Sequence, residues 1–183
     1  MALTATVYNL DIELADIDRG VYESLALRIA RQPSETAEYM LTRVLAYCLE
    51  YTEGIALTEG VAAGDEPAVL VRDLTGRITA WIEVGMPDAA RVHRGSKRAG
   101  RAAVYTHRDP RQLLAQWSGE RIHNVCEIPV YAFDRAVIED VASRLERRSS
   151  LSVSVTEREL YLELDGVTFS TTIGEHRAGD TRG

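Results

Sequence analysis

Ile78-Thr79-Ala80-Trp81-Ile82-Glu83-Val84-Gly85 decides the fold. It reads as an apolar β-strand with a carboxylate in its middle. A period of two places Ile78, Ala80, Ile82 and Val84 on one face and Thr79, Trp81, Glu83 and Gly85 on the other. Burial without a partner costs on the order of 2–7 kcal/mol even for a neutral polar group, and more for a charge. Glu83 therefore needs a cation, a set of donors or a metal. Upstream of the turn Leu74-Thr75-Gly76-Arg77 lies a second acidic pair, Asp65-Glu66, just before Pro67. An antiparallel hairpin about that turn brings Glu83 to the same end of the ribbon as Asp65 and Glu66. Carboxylates gathered in this way repel unless a cation sits between them, which makes Asp65, Glu66 and Glu83 candidate metal ligands.

Working outward, residues 4–14 alternate as a strand, with Tyr8, Leu10, Ile12 and Leu14 on one face. A helix is predicted over Val21–Arg31, ended by Pro33. Ser34 is the expected N-cap of a second helix whose buried stripe is Ala37, Leu41, Val44, Leu45 and Cys48. Strands follow at Ile55–Glu59, Ala68–Asp73 and Ile78–Val84. Pro87-Asp88 opens a third helix, and Ala102–Thr106 is a short buried strand. Asp109-Pro110 starts another helix that runs through Trp117. Asn124–Tyr131 reads as a strand and Phe133–Arg147 as a helix. Strict alternation at Leu151, Val153, Val155, then Leu160, Leu162, Leu164, then Val167 and Phe169, predicts an antiparallel meander with one wet face. The polar tail after Ile173 is expected to fray. The whole is read as an α/β protein with one mixed central sheet and flanking helices.

The chain has 183 residues, 45% hydrophobic and 27% charged, with a net charge of −7, an ordinary globular composition. Such acidity excludes nucleic-acid binding by bulk charge, so any phosphate contact must come from a local patch or a bound metal. Cys48 and Cys126 sit in apolar runs and are read as buried free thiols, which fits a reducing cytoplasm. The opening residues carry neither a basic region nor an apolar one, so no signal peptide is expected, and no window suits a membrane span. Histidines 93, 107, 123 and 176 have no zinc-type spacing.

Each candidate residue has a plainer reading. Asp65-Glu66 between Gly64 and Pro67 is also normal turn chemistry. Glu35 and Glu38 in the first turns of a helix complement its dipole, worth about 0.3–1 kcal/mol. That accounts for Glu35, whereas Glu38 flanks the buried stripe and is the better candidate for an inward-facing acid. A basic run follows the carboxylate strand: Arg91, His93, Arg94, Lys97, Arg98 and Arg101. On a helix Arg91, Arg94, Arg98 and Arg101 line one face. They form either a phosphate-contacting surface or a solvated helix face paired to acidic neighbours.

Pro33-Ser34-Glu35-Thr36, Asp65-Glu66-Pro67 and Trp81-Ile82-Glu83-Val84-Gly85-Met86-Pro87-Asp88, with the opening Met1-Ala2-Leu3-Thr4-Ala5-Thr6, resemble the signature of the YaeQ family of bacterial proteins. The resemblance covers nearly the full chain. It implies a single domain over residues 1–175 with a flexible tail at 176–183, built on a variant of the restriction-endonuclease-like PD-(D/E)XK core. That core is a helix, a three-stranded antiparallel sheet, a helix and a further strand. The resemblance places Asp65 or Glu66 in the first acidic slot, Glu83 in the second, and Glu38, with Glu35 behind it, in the helix slot. The implied ion is Mg²⁺, or Mn²⁺ in its stead. The lysine that orients the attacking water in such nucleases falls on Gly85, which has no side chain. In some relatives of the fold the basic group moves to the following helix, here Arg94 or Lys97. An arginine stays protonated, so it stabilises developing phosphorane charge but does not act as a base. Two functions follow as expectations. One is a Mg²⁺-dependent phosphodiesterase acting on nucleic acid. The other is a nuclease-fold protein without catalysis that serves as a binding or regulatory module.

Overall fold

The alternation around Leu10, Ile12 and Leu14 forms β1 (Thr6–Asp16), with these three side chains buried and Asp11 and Glu13 exposed between them. The computed structural model describes residues 3–60 and 64–180; Met1 and Ala2, quoted above in the opening motif, and residues 181–183 of the expected tail lie outside the described residues. A turn at residues 17–20, with Gly20 at φ +67°, leads into β2 (Val21–Arg31), which pairs antiparallel with β1 from Thr6↔Arg31 to Asp16↔Val21. The helix expected over Val21–Arg31 is thus a strand. Leu25, Leu27 and Ile29 recur every second residue and stand opposite Ile12, Leu10 and Tyr8. Ala26 and Ala30 give the stretch a helical composition, but the period of two and the pairing edge of β1 override it.

β8 (Arg148–Thr156), β9 (Glu159–Leu164) and β10 (Val167–Thr172) form the expected meander. β8 lies parallel to β1, so the first sheet has the order β10-β9-β8-β1-β2. The remaining strands build a second sheet, not the single central sheet expected. They are β3 (Ile55–Leu57), β4 (Val69–Arg72), β5 (Ile78–Val84), β6 (Arg101–Thr106), β7 (Val130–Ala132) and β11 (Gly174–His176), in the order β11-β7-β6-β5-β4-β3. β3–β4–β5 is an antiparallel meander, and β6 and β7 add in parallel. The residues after Ile173 do not fray at once: β11 pairs with β7, and Glu175 is ion-paired to Arg158 and Arg177. The strand expected over Asn124–Tyr131 is reduced to β7, because Asn124 takes a left-handed conformation and a 3-10 turn occupies Val125–Glu127.

Helix α1 (Ala37–Leu49) is capped by Thr36, not Ser34. The Thr36 side chain accepts from the Tyr39 N–H, so Glu35 precedes the helix. Residues 40–46 and Cys48 of α1 are all buried, the pattern of a helix enclosed on every side. One buried core joins α1 and α4 (Arg135–Arg144) to the inner faces of both sheets, from Leu10, Leu151 and Leu162 to Val69, Ile82 and Tyr105. A second apolar cluster covers the other face of the six-stranded sheet. There Trp81 and Val104 meet α2 (Ala89–Arg98) through Val92 and α3 (Pro110–Trp117) through Leu113 and Trp117. Cys48 is buried as expected. Cys126 is exposed, not buried as expected, because its turn packs on the second cluster through Val125 rather than through the thiol, and both thiols are free. Among the described residues no helix is long and apolar enough to cross a membrane.

Arg43 of α1 is fully buried, and its guanidinium donates to Glu35 Oε1 at 2.7 Å. Gly60 closes over the pair: a Cβ there would lie 1.9 Å from the Glu35 carboxylate and 1.7 Å from the Arg43 guanidinium. Removing one member of such a pair leaves the other charge buried. Glu35→Ala should therefore lower the unfolding free energy in urea by about 3–5 kcal/mol, and Glu35→Ala combined with Arg43→Met should recover most of it. A loss below about 1 kcal/mol in the single variant would show that Arg43 finds its compensation elsewhere.

Candidate functional site at the end of the central strand

β5 is central in its sheet because Ile78–Val84 is apolar on the face that meets α1. Ala80, Ile82 and Val84 lie in the main core, and Trp81 lies in the opposite cluster. Glu83 shares the Trp81 face and is 3% exposed. Its carboxylate is fixed by two donors on one oxygen: the Trp81 indole N–H at 2.7 Å and the Arg91 Nε–H at 2.8 Å. α2 brings Arg91 there. Asp88 caps the helix by accepting from the Arg91 N–H, and Gly95 lets the helix lie on the indole, where a Cβ would be 2.3 Å from Trp81 Nε1.

Arg91 does more than pair with Glu83. Its other nitrogens donate to the Gly64 carbonyl at 3.2 Å and the Glu66 carbonyl at 2.5 Å, and Arg98 donates to the Asp65 carbonyl at 3.2 Å. The hairpin thus does bring Asp65-Glu66 to the Glu83 end of the ribbon, but through main-chain oxygens. The side chains of Asp65 and Glu66 are exposed, and Glu66 pairs with Arg72 at 3.2 Å. As these residues stand they do not fit a divalent cation. Among the described residues no group of three or more His, Cys, Asp or Glu side chains could hold a metal ion, and the space beside Glu83 is taken by a guanidinium.

The other candidates separate. Glu38, in the first turn of α1, is half-buried and acts electrostatically on His107 and Arg135. His107 is itself buried beside Thr42 Oγ1 at 3.1 Å, and burial holds its pKa below the ordinary value. Arg94 and Lys97 are exposed on α2. Arg101 is not on that helix. It opens β6 and is held by both oxygens of Glu50, which also accepts from the Tyr105 hydroxyl, so it leaves the expected basic face. Arg121, which the basic run did not include, and His123 lie close to His93 of α2, whose Nδ1 accepts the His123 backbone N–H at 3.1 Å. Desolvation, and then Lys97, Arg121 and His123, hold the His93 pKa below its ordinary value. The Arg121-Ile122-His123 triplet was the available signal.

Burial pushes the Glu83 carboxyl above its ordinary value of 4.5, with Asp88 adding to the rise, against the opposing effects of Arg91 and Trp81. Burial, Glu83 and Glu35 together push the Tyr39 hydroxyl up to about 12. Because folding raises the Glu83 pKa, the stability this group contributes is fully present below 4.5 and is lost as pH rises through the folded value. Thermal unfolding of Glu83→Gln and of the wild type should show the difference in Tm moving in favour of Gln as pH rises from below 4.5 to neutrality. A difference that moves towards the wild type would mean that the Arg91 pair outweighs desolvation.

Fold and site together define an α/β protein of two mixed sheets, with a buried carboxylate on its central strand locked to an arginine of the next helix. Residues 1–173 match the profile of the YaeQ protein family, and the chain belongs to that family. It is 30% identical over 166 residues to the YaeQ protein of Escherichia coli (strain K12), which spans 90% of this chain and 92% of that one. It is 29% identical over 163 residues to the YaeQ protein of Salmonella typhi, across 88% of this chain and 90% of the relative. The crystal structure of YaeQ from Pseudomonas syringae superposes with a TM-score of 0.85 at 32% identity, covering 93% of this chain and 95% of that one. YaeQ from Xanthomonas axonopodis pv. citri gives a TM-score of 0.84 at 27% identity, across 96% and 99%.

Proposed function

We propose that this chain is a nuclease-like protein of the PD-(D/E)XK type that engages the phosphodiester backbone of nucleic acid beside α2. The observation that carries the reading is the element order α1–β3–β4–β5–α2–β6, with a buried Glu83 near the end of the third strand. That is the order of a helix, an antiparallel meander, a helix and a parallel strand expected for such a core. Arg94 and Lys97 stand exposed on the helix that follows the acid, where cations position phosphates. Mg²⁺ or Mn²⁺ would supply an activated water and neutralise the scissile phosphate. That chemistry requires Arg91 to leave Glu83.

The second reading, a nuclease-fold module that binds without cleaving, is favoured by one feature of the same site. Arg91 already neutralises Glu83, and Gly85 offers no base. Calorimetric titration of Mn²⁺ into the wild type, Arg91→Ala and Glu83→Ala separates the two. Saturable binding in the wild type or Arg91→Ala that vanishes in Glu83→Ala supports the metal-dependent nuclease. No binding in either, with both proteins folded, leaves the non-catalytic module. The first reading places nucleic acid on α2, whereas a binding or regulatory module need not. On the first reading, Arg94→Glu should therefore weaken binding to DNA or RNA and reduce the slope of log K against log salt by about one phosphate contact. An unchanged slope would remove nucleic acid from this face.

A further inference from the structure

Strand β2 is the terminal strand of the five-stranded sheet and pairs only with β1 among the described residues. It is eleven residues long, and its stretch, Val21-Tyr22-Glu23-Ser24-Leu25-Ala26-Leu27-Arg28-Ile29-Ala30-Arg31, contains no proline or lysine. Its register with β1 runs without a bulge. Long, regular edges of this kind present a row of main-chain donors and acceptors, and proteins normally block them.

Three charges on this strand, Glu23, Arg28 and Arg31, make no ion pair among the described residues, and Glu23 and Arg31 share one face. Glu23 is exposed. Arg31 lies 5.9 Å from the Tyr8 ring, and its Nε is buried with no hydrogen-bond partner. Glu23 and Arg31 are eight positions apart, roughly 26 Å along a strand, so they cannot meet within one chain.

We propose that β2 is the self-pairing edge of a two-fold homodimer. β2 of one copy runs antiparallel to β2 of a second copy, with Leu27 on the axis, and the two five-stranded sheets become one. In that register Glu23 of each copy faces Arg31 of the other, and Leu25 faces Ile29. Ser24 faces Ala30 and Ala26 faces Arg28 on the outer side. Every contact off the axis occurs twice, as a closed two-fold interface requires. Neighbouring registers fail. An axis at Ala26 sets Glu23 against Ile29 and Arg31 against Val21. An axis at Arg28 sets Arg28 against its own copy and Leu25 against Arg31, which opposes like charges directly. Leu25 and Leu27, half-buried at the edge of the monomer, also face each other with the axis at Ala26, so it is the placement of Glu23 against Arg31 that selects the Leu27 register.

The test is sedimentation of the full chain as wild type, Glu23→Arg, Arg31→Glu and the double exchange. The wild type should sediment as a dimer at micromolar concentration. Each single reversal should raise the dimer dissociation constant by about tenfold or more, because two attractive pairs become two repulsive ones. The double exchange restores both pairs with inverted sign and should restore the dimer. A monomeric wild type overturns the proposal. So does a dimer indifferent to both single reversals, or a double exchange that folds, by circular dichroism, yet stays as weak as the singles.

Discussion

A carboxylate set into an apolar strand has to be answered, and here the answer comes from Arg91. That guanidinium is the point at which three parts of the second sheet meet: β5 through Glu83, α2 through Arg91 itself, and the residues before β4 through the carbonyls of Gly64 and Glu66. The helix can reach the strand only because Gly95 has no Cβ to strike the Trp81 indole. Trp81 in turn supplies the second donor to Glu83 and excludes water from the pair. The low-dielectric surroundings that make Glu83 expensive also make its two hydrogen bonds strong.

Much of this was legible in the sequence. The strand, the hairpin about Gly76, the convergence of Glu83 with residues 65 and 66, and the helix opened by Asp88 all follow from local rules that the tertiary structure does not contest. The identity of the partner was not. Arg91, Arg94 and Lys97 are equivalent by composition, and only the pitch of α2 and its contact at Gly95 bring Arg91 to the carboxylate. Arg101 shows the reverse: it shares the spacing of the helix arginines, but the helix ends before it and Glu50 takes it.

The largest misreading, β2, has a different cause. Leu25, Leu27 and Ile29 show a period of two, but alanines and a leucine-rich composition favour a helix in isolation. The long β1 edge beside them decides the matter, and a pairing edge is a property of the partner strand. Glu35 is similar. By position it resembles a dipole-complementing acid, whereas in the fold it lies before the helix and neutralises a buried arginine seven positions into it.

The parallel contact between β1 and β8 has a consequence for how the molecule is made. β1 forms its hairpin with β2 as soon as the first residues are available, but its other edge is closed by residues 148–156, and Asp18 receives the N–H groups of Glu157 and Arg158. A chain emerging from the ribosome therefore carries Leu10, Ile12 and Leu14 on an incomplete two-stranded ribbon until most of the protein has been synthesised. Closure of the first sheet is late and non-local, a topology that folds slowly and exposes apolar edge while it waits.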